Sequence, residues 1–284
     1  MHRPAAPNVP APAKALGRVL VIAGSDSGGG AGIQADVKAI TAMGGFAMTA
    51  IAALTAQNTH GVFGVEPVSP RFLRAQITAI ASDLGWDAVK TGMLAQIPLV
   101  EAAAEALAGT PAPVIVDPVM IATSGARLLE PRAVDALRAL LIPRAALVTP
   151  NAPEAAALTG RNVDTREDQR RAADRLLEAG AKAALVKGGH VDGARVYDVL
   201  ATQTGEHIFE ADRIPTPRPF HGAGCTLASA IAAGLARGAE LISAIDAARD
   251  YLRGAMLHAP DFGTGARPLN HAWRNQPAPY AGDR

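Results

Sequence analysis

The sequence holds one cysteine, Cys225, in 284 residues. A single thiol forms no intramolecular disulfide and no multi-cysteine zinc site, so Cys225 is either a small buried hydrophobe or a reactive group. Aromatic residues make up only 4% of the chain although 49% is hydrophobic. Alanine carries much of the difference, in segments such as 101–108, and favours closely packed helices. Gly, Pro or a charged residue cuts every apolar run well short of the about 20 residues that a membrane-spanning helix needs. Excess charge is missing too: 27 Lys and Arg against 26 Asp and Glu leave +1, which argues against neutralising a run of nucleic-acid phosphates. The expectation is a soluble, cytoplasmic protein with no nucleic acid and no membrane among its partners. Before Val19 the chain has Arg3 and Lys14 but no apolar stretch, which reads as a flexible Pro/Ala-rich lead over 1–16 and not as a signal peptide.

Familiar signatures are absent as well. There is no G-x-x-x-x-G-K-[ST] and no complete G-x-G-x-x-G, which sets aside a P-loop enzyme and an ordinary dinucleotide dehydrogenase. Neither H-E-x-x-H nor G-x-S-x-G occurs, so a zinc protease or serine hydrolase would need an unfamiliar arrangement.

What is present is an alternation. Short β-branched runs at 19–23, 48–54, 88–90, 114–116, 146–148 and 183–186 read as buried strands. Helical patterns lie between and after them, at 33–43, 71–83, 99–107, 132–141, 165–179, 226–237 and 241–257; Ser69 and Pro70 mark the start of the second. Strand alternating with helix predicts an α/β domain of three layers, with a mostly parallel sheet covered on both faces. Residues 195–214 break the rhythm and suggest a hairpin across 202–206, hence an antiparallel edge. A single domain over 17–276 is expected, followed by a flexible tail over 277–284.

In such a sheet the strand ends carry the chemistry. The strongest local signal is His221-Gly222-Ala223-Gly224-Cys225-Thr226, a glycine-rich turn entering a helix. Its backbone amides and the positive end of the helix dipole suit an anion such as a transferring phosphoryl group. The same field is expected to lower the Cys225 pKa from about 8.5 toward neutrality and make it a proton acceptor; a plain helix-start turn with a buried cysteine is the alternative. Gly24 to Gly32 follows the first strand, and Asp36, one turn into the next helix, is expected to point back to the same crevice. Gln57 ends the second strand and offers donor and acceptor to a heterocycle. Met93, after Lys90-Thr91-Gly92, could wall a planar ligand or simply fill the core. Asp117, Asn151, Glu154 and Lys187 complete the strand tips. Carboxylates there suit a hydrated Mg²⁺ that bridges nucleotide phosphates, and Lys187 supplies a point charge. Each could also be a cap or a surface ion. Together with the anion turn they describe phosphoryl transfer.

From 18 to about 271 these motifs resemble the ribokinase-like superfamily, and within it the hydroxymethylpyrimidine/phosphomethylpyrimidine kinases. The likeness rests on Ala23-Gly24-Ser25-Asp26 with Gly29 to Asp36, Leu54 to Thr59, Lys90 to Leu94, Asp117 to Met120, Thr149-Pro150-Asn151, Lys187 to His190, Gly224 to Leu227 and Pro268 to His271. The resemblance implies a ribokinase-like fold, frequent dimers, and ATP-dependent phosphorylation of 4-amino-5-hydroxymethyl-2-methylpyrimidine, then of its monophosphate, in thiamine diphosphate biosynthesis. It implies that Cys225 is the base within the turn of Gly222, Ala223 and Gly224. Gln57, Asp36, Met93, Gly24 and Ala31 would meet the pyrimidine. Lys187, Asn151, Glu154 and Asp117 would serve ATP, with Asp117 and Glu154 toward Mg²⁺. Two places depart from the family pattern. Ser27 and Gly28 stand where it has Pro-Ser, and Phe220 and Ala223 stand where its anion turn has Thr. A pyridoxal kinase on the same scaffold, or a pyrimidine-binding sensor without turnover, are the alternatives.

Overall fold

The computed structural model describes residues 16–122, 125 and 128–275. Its centre is an eight-stranded sheet built from β1 (Gly17–Ala23), β2 (Gly45–Ile51), β5 (Ala88–Thr91), β6 (Val114–Val116), β7 (Leu147–Val148), β8 (Ala183–Val186), β9 (Arg195–Thr202) and β10 (Gly205–Asp212), in the order β10-β9-β8-β7-β6-β5-β1-β2. Every pair from β8 to β2 is parallel; β9 and β10 add the antiparallel edge expected from 195–214.

Strand periodicity sorts the core into two halves. Leu20 and Ile22 of β1 face one side and Val19, Val21 and Ala23 the other, as alternate residues of a strand must. On the first face lie α2 (Pro70–Ala81), α3 (Ile97–Ala106), α4 (Pro131–Leu140), α5 (Ala152–Thr159) and α6 (Arg166–Glu178), which contribute Leu73, Leu99, Leu137, Leu158 and Leu176. On the second lie α1 (Gly32–Ala42), α7 (Ala223–Ala236) and α8 (Leu241–Leu257), with Ile40, Ile231 and Tyr251. This is the three-layer α/β architecture expected from the alternation of strand and helix. The parallel strands β5 to β8 are buried along their whole length, which explains the unbroken apolar runs of β6, β7 and β8. Ser69 caps α2 by accepting the Phe72 N–H, with Pro70 in the first turn.

Three features differ from expectation. The run 48–54 is not one strand. β2 ends at Ile51, and Ala53–Gln57 (β3) leaves the sheet to pair antiparallel with Val62–Pro67 (β4). Exposed Phe63 and the Gly64 within β4 hide it from a search for buried runs. α5 was not expected because its apolar pattern covers only eight residues. Two-residue strands β11 (Phe220–His221) and β12 (Arg267–Pro268) pair in parallel and bring the Pro268–His271 motif against the anion turn. The expected lead, except Leu16, and the expected tail lie outside the described residues. Loops after β1, β5, β6, β7 and β8 all open at one sheet edge, where the motifs gather.

Candidate active site

The anion turn begins one residue after β11. Gly222 has φ +84°, and a Cβ there would lie 1.9 Å from the Gly30 carbonyl oxygen, so only glycine fits. α7 starts directly at Ala223, three residues earlier than expected, with Gly222 as its N-cap. Ala223, Gly224 and Cys225 thus form the first helical turn. The first bond of the ladder is Thr226 N–H to Gly222 O, 3.0 Å. Helix geometry leaves the amides of 223–225 without an intrahelical acceptor, all at the positive end of the dipole.

Gly224 opens this turn to charge. A Cβ on it would sit 3.1 Å from Lys187 Nζ and 3.9 Å from Asp117 Oδ2. Lys187 Nζ donates to Asp117 Oδ1 at 3.1 Å, and Thr149 Oγ1 donates to the same oxygen at 3.1 Å. Burial works against the Lys187 ammonium, but Asp117 and Glu154 outweigh it and hold its pKa above the usual lysine value. Asn151 and Glu154 form a capping box on α5: Glu154 N–H donates to Asn151 Oδ1 (2.9 Å) and Asn151 N–H to Glu154 Oε2 (2.8 Å). The helix-cap role weighed for these residues is therefore real. Burial pushes the Glu154 carboxyl up to about 7, opposed by Lys187 and reinforced by Asp117. Among the described residues no group of three or more His, Cys, Asp or Glu converges to hold a metal alone.

Two expectations are corrected. Asp36 does not face the crevice: it is fully buried, with Lys90 Nζ donating to both its oxygens (3.0 and 3.1 Å) and Ser229 Oγ to Oδ1 (2.7 Å). Lys90, equally buried, loses solvation, yet Asp36, Cys225 and Asp117 keep it above the usual lysine pKa. Burial pushes the Asp36 carboxyl above its usual value, opposed by Lys90 and Ser229, and the pair lies beneath the anion turn. The second correction concerns Cys225. It retains part of its surface, but the protein around its sulfur strips most solvation and pushes the thiol up to about 12. Lys90 and the Gly32 N–H favour the thiolate; Asp36 and Asp117 oppose it. Desolvation and two carboxylates outweigh the helix terminus, so the ligand-free protein holds a thiol.

Gln57 closes the other side. Ser27 Oγ receives its N–H at 2.9 Å, and its side-chain amide lies 3.2 Å from both Thr55 Oγ1 and His221 Nε2. Met93 is buried in the core, its Sδ 3.1 Å from a Cβ position on Gly24, and Gly24 N–H donates to Met93 O at 3.0 Å. Ala31 N–H donates to Asp26 Oδ2 at 2.8 Å. The cavity between Gln57, Thr59, Ala122, His221 and Ala266 holds only about 10 Å³, room for a water and not for a six-membered ring. The loop after β3 is fastened to the C-terminal segment, since Ala266 N–H donates to Thr59 O (2.8 Å) and His60 Nε2 pairs with Thr264 Oγ1 (2.8 Å).

Cys225, Gly222, Ala223, Gly224, Lys187 and Asp117 are thus brought together, Glu154 and Asn151 stand behind them, and Gln57 faces the turn through His221. Sequence reasoning gave no role to Lys90, Ser229, Asp26 or His221. A lysine inside the apolar strand Ala88-Val89-Lys90-Thr91 was the legible signal, since a buried charge needs a partner. The other three announce themselves only once the chain is folded.

A parallel sheet with a thiol, a lysine and a carboxylate converging on a helix-start anion site defines a phosphotransferase of the ribokinase-like class. Residues 26–270 match the family described as phosphomethylpyrimidine kinase, and the chain belongs to that family. It is 47% identical over 255 residues to the hydroxymethylpyrimidine/phosphomethylpyrimidine kinase of Streptomyces coelicolor, covering 90% of this chain and 94% of that one. Among solved structures it is similar to the phosphomethylpyrimidine kinase of Clostridium difficile, at 40% identity and TM-score 0.75, covering 84% of this chain and 99% of that one. It is also similar to the pyridoxal kinase of Staphylococcus aureus in complex with AMP-PCP, at 31% identity and TM-score 0.85, covering 93% and 96%.

Proposed function

We propose that this chain transfers the terminal phosphoryl group of ATP to the hydroxymethyl oxygen of 4-amino-5-hydroxymethyl-2-methylpyrimidine, and then a second to the monophosphate, in thiamine biosynthesis. Family membership and the names of the relatives support the substrate. The carrying observation is the convergence of Cys225, Lys187 and Asp117 at Gly224.

The residues fit Mg-ATP. Asp117 and Glu154 are two crowded carboxylates, one with a raised pKa, and a divalent ion that keeps most of its waters would relieve them. Bound there, Mg²⁺ supplies charge neutralisation to the phosphates. Lys187 and the amides of 223–225 receive the transferring group. Neutralising Asp117 in the complex removes one of the carboxylates that oppose the Cys225 thiolate, while Lys90 continues to favour it. Ionised in the complex, with its own proton released to solvent, the Cys225 sulfur takes the alcohol's proton as the oxygen bonds to phosphorus and the bond to ADP breaks. Gln57 reads the ring, and the loop that follows it, 58–61, moves to admit the ring because the present cavity does not.

Incubation with the pyrimidine alcohol and Mg-ATP, with mono- and diphosphate resolved by chromatography, tests this reading; ATP use independent of the alcohol would refute it. A second reading, phosphorylation of pyridoxal, has the S. aureus structure in its favour, and competition between the two alcohols separates them. A homodimer belongs to the same proposal, supported by the outward Leu54, Phe63 and Val65 of the β3–β4 hairpin; sedimentation of the wild type and Phe63→Glu checks it. Among the described residues no helix is long and apolar enough to cross a membrane, and a cytoplasmic setting is proposed with the rest.

A further inference from the structure

Asp26 lies at the centre of the Gly24–Gly32 loop as an acceptor. Its carboxylate receives the N–H groups of Gly28 (2.8 Å), Gly30 (3.0 Å) and Ala31 (2.8 Å), and its Oδ2 lies 2.8 Å from His221 Nε2. Burial favours its neutral form, but His221 and these amides outweigh that and keep the pKa below the usual value. The loop is locked to the anion turn by shape as well, since a Cβ on Gly30 would sit 2.5 Å from His221 Cδ2.

A carboxylate accepts only, so His221 must carry its proton on Nε2. That proton faces the Gln57 amide too, with Gln57 Nε2 at 3.2 Å. On the other side Thr55 Oγ1 lies 2.9 Å from Ser25 O and 3.2 Å from Gln57 Oε1. Thr55 has one hydroxyl proton, and the shorter contact to a carbonyl, which can only accept, claims it. With the Gln57 nitrogen on His221 and its oxygen on Thr55, N–H would face N–H and lone pair would face lone pair. A half-turn of the amide eases both contacts: Oε1 takes the longer arm of a three-centre bond from the His221 Nε2–H that Asp26 receives at 2.8 Å, where an Nε2 hydrogen of Gln57 would find no acceptor, and one Nε2 hydrogen goes to Thr55 Oγ1.

We propose that the Asp26–His221 pair is a positioning device that fixes which end of the Gln57 amide donates and which accepts, and so sets the hydrogen-bonding order that the ring-binding site reads. This rests on Gln57 as the ring-reading group. An amide free to turn reads a donor–acceptor edge and its reverse alike, whereas a fixed amide leaves the reversed edge with two mismatched partners. The ligand class it selects is an aminopyrimidine, and the class it rejects is the matching oxopyrimidine, in which carbonyl and ring N–H exchange the pattern. His221 touches neither substrate nor nucleotide in this scheme.

The test compares kcat/KM for the aminopyrimidine alcohol and its 4-oxo analogue. Wild type should prefer the amino form by at least about tenfold. His221→Leu, which lacks the donor, should lose most of that preference while kcat for the amino substrate changes little and its KM rises. His221→Gln, which can place an N–H at the same point, should restore it. A preference unchanged in His221→Leu but lost in Gln57→Ala overturns the positioning role and leaves Gln57 standing; a preference unchanged in Gln57→Ala overturns the Gln57 reading itself. Nitrogen-15 spectra of histidine-labelled wild type give a reading that needs no variant. Nε2-protonated His221 is expected, and a neutral Nδ1-protonated ring would overturn the proposal.

Discussion

Cys225 provides a quantitative test, because two physical effects disagree about it. A helix start and nearby Lys90 favour the thiolate, while burial, Asp36 and Asp117 favour the thiol and win. With the thiol pushed up to about 12 from 9.0, roughly one sulfur in ten thousand is ionised at pH 8, against about one in ten for an unperturbed thiol. Only the thiolate attacks iodoacetamide, so alkylation should be about 1,000-fold slower than for a free cysteine. Because Cys225 is the sole cysteine, mass spectrometry of the intact protein reads this rate without ambiguity. Partial burial alone would also slow the reaction, so the pH profile decides. The rate should keep rising about tenfold per pH unit from pH 7 to 10 with no plateau. A plateau reached near pH 7 to 8 would mean that the helix terminus dominates, and the balance of burial and charge argued for the ligand-free site would be wrong.

Other perturbations have equally definite outcomes. Lys90→Met leaves Asp36 buried without its cation and should cost about 3–5 kcal/mol in urea denaturation, part of it recovered in Lys90→Met/Asp36→Leu. Full stability in the single variant would show that the ion pair is not formed. Glu154 has a folded-state pKa of about 7 against 4.5 for the usual carboxyl, so the folded protein binds the extra proton. The associated stability is present below about pH 4.5 and lost as pH rises through 7, up to about 3 kcal/mol. Glu154→Gln should flatten that fall between pH 5 and 8, and an unchanged slope would assign it elsewhere. Gly222→Ala forces a side chain into the Gly30 carbonyl at positive φ and should destabilise the protein and abolish turnover together, measured by melting and by product formation; a normal melting temperature would contradict the interlock.

The fold was legible where burial was complete. Strands β6 and β8 are solid apolar runs, and α2 carries its cap, Ser69, in the sequence. It was illegible where the chain leaves the sheet at Ala53, since an exposed hairpin has no buried periodicity. Motifs at strand ends fall together in the candidate site because parallel topology gathers those ends without further information. Orientation is different. Asp36 lies on the fully buried face of α1, and only the arrival of Lys90 from β5 and Ser229 from α7 decides that it points inward. The expected lowering of the Cys225 pKa failed for the same reason: the burial that opposes ionisation, and the carboxylates that add to it, come from distant segments. His221 and Asp26 are 195 positions apart in the chain, beyond any local pattern.

The central claim is that the sulfur of Cys225 takes the proton of a pyrimidine alcohol whose oxygen receives phosphorus from ATP at the head of α7. Single-turnover product formation by Cys225→Ala, with alcohol and nucleotide affinity measured by calorimetry on the same preparation, tests it most directly. Binding within a few-fold of wild type with phosphorylated product absent is the expected result; product formed at close to the wild-type rate would contradict it.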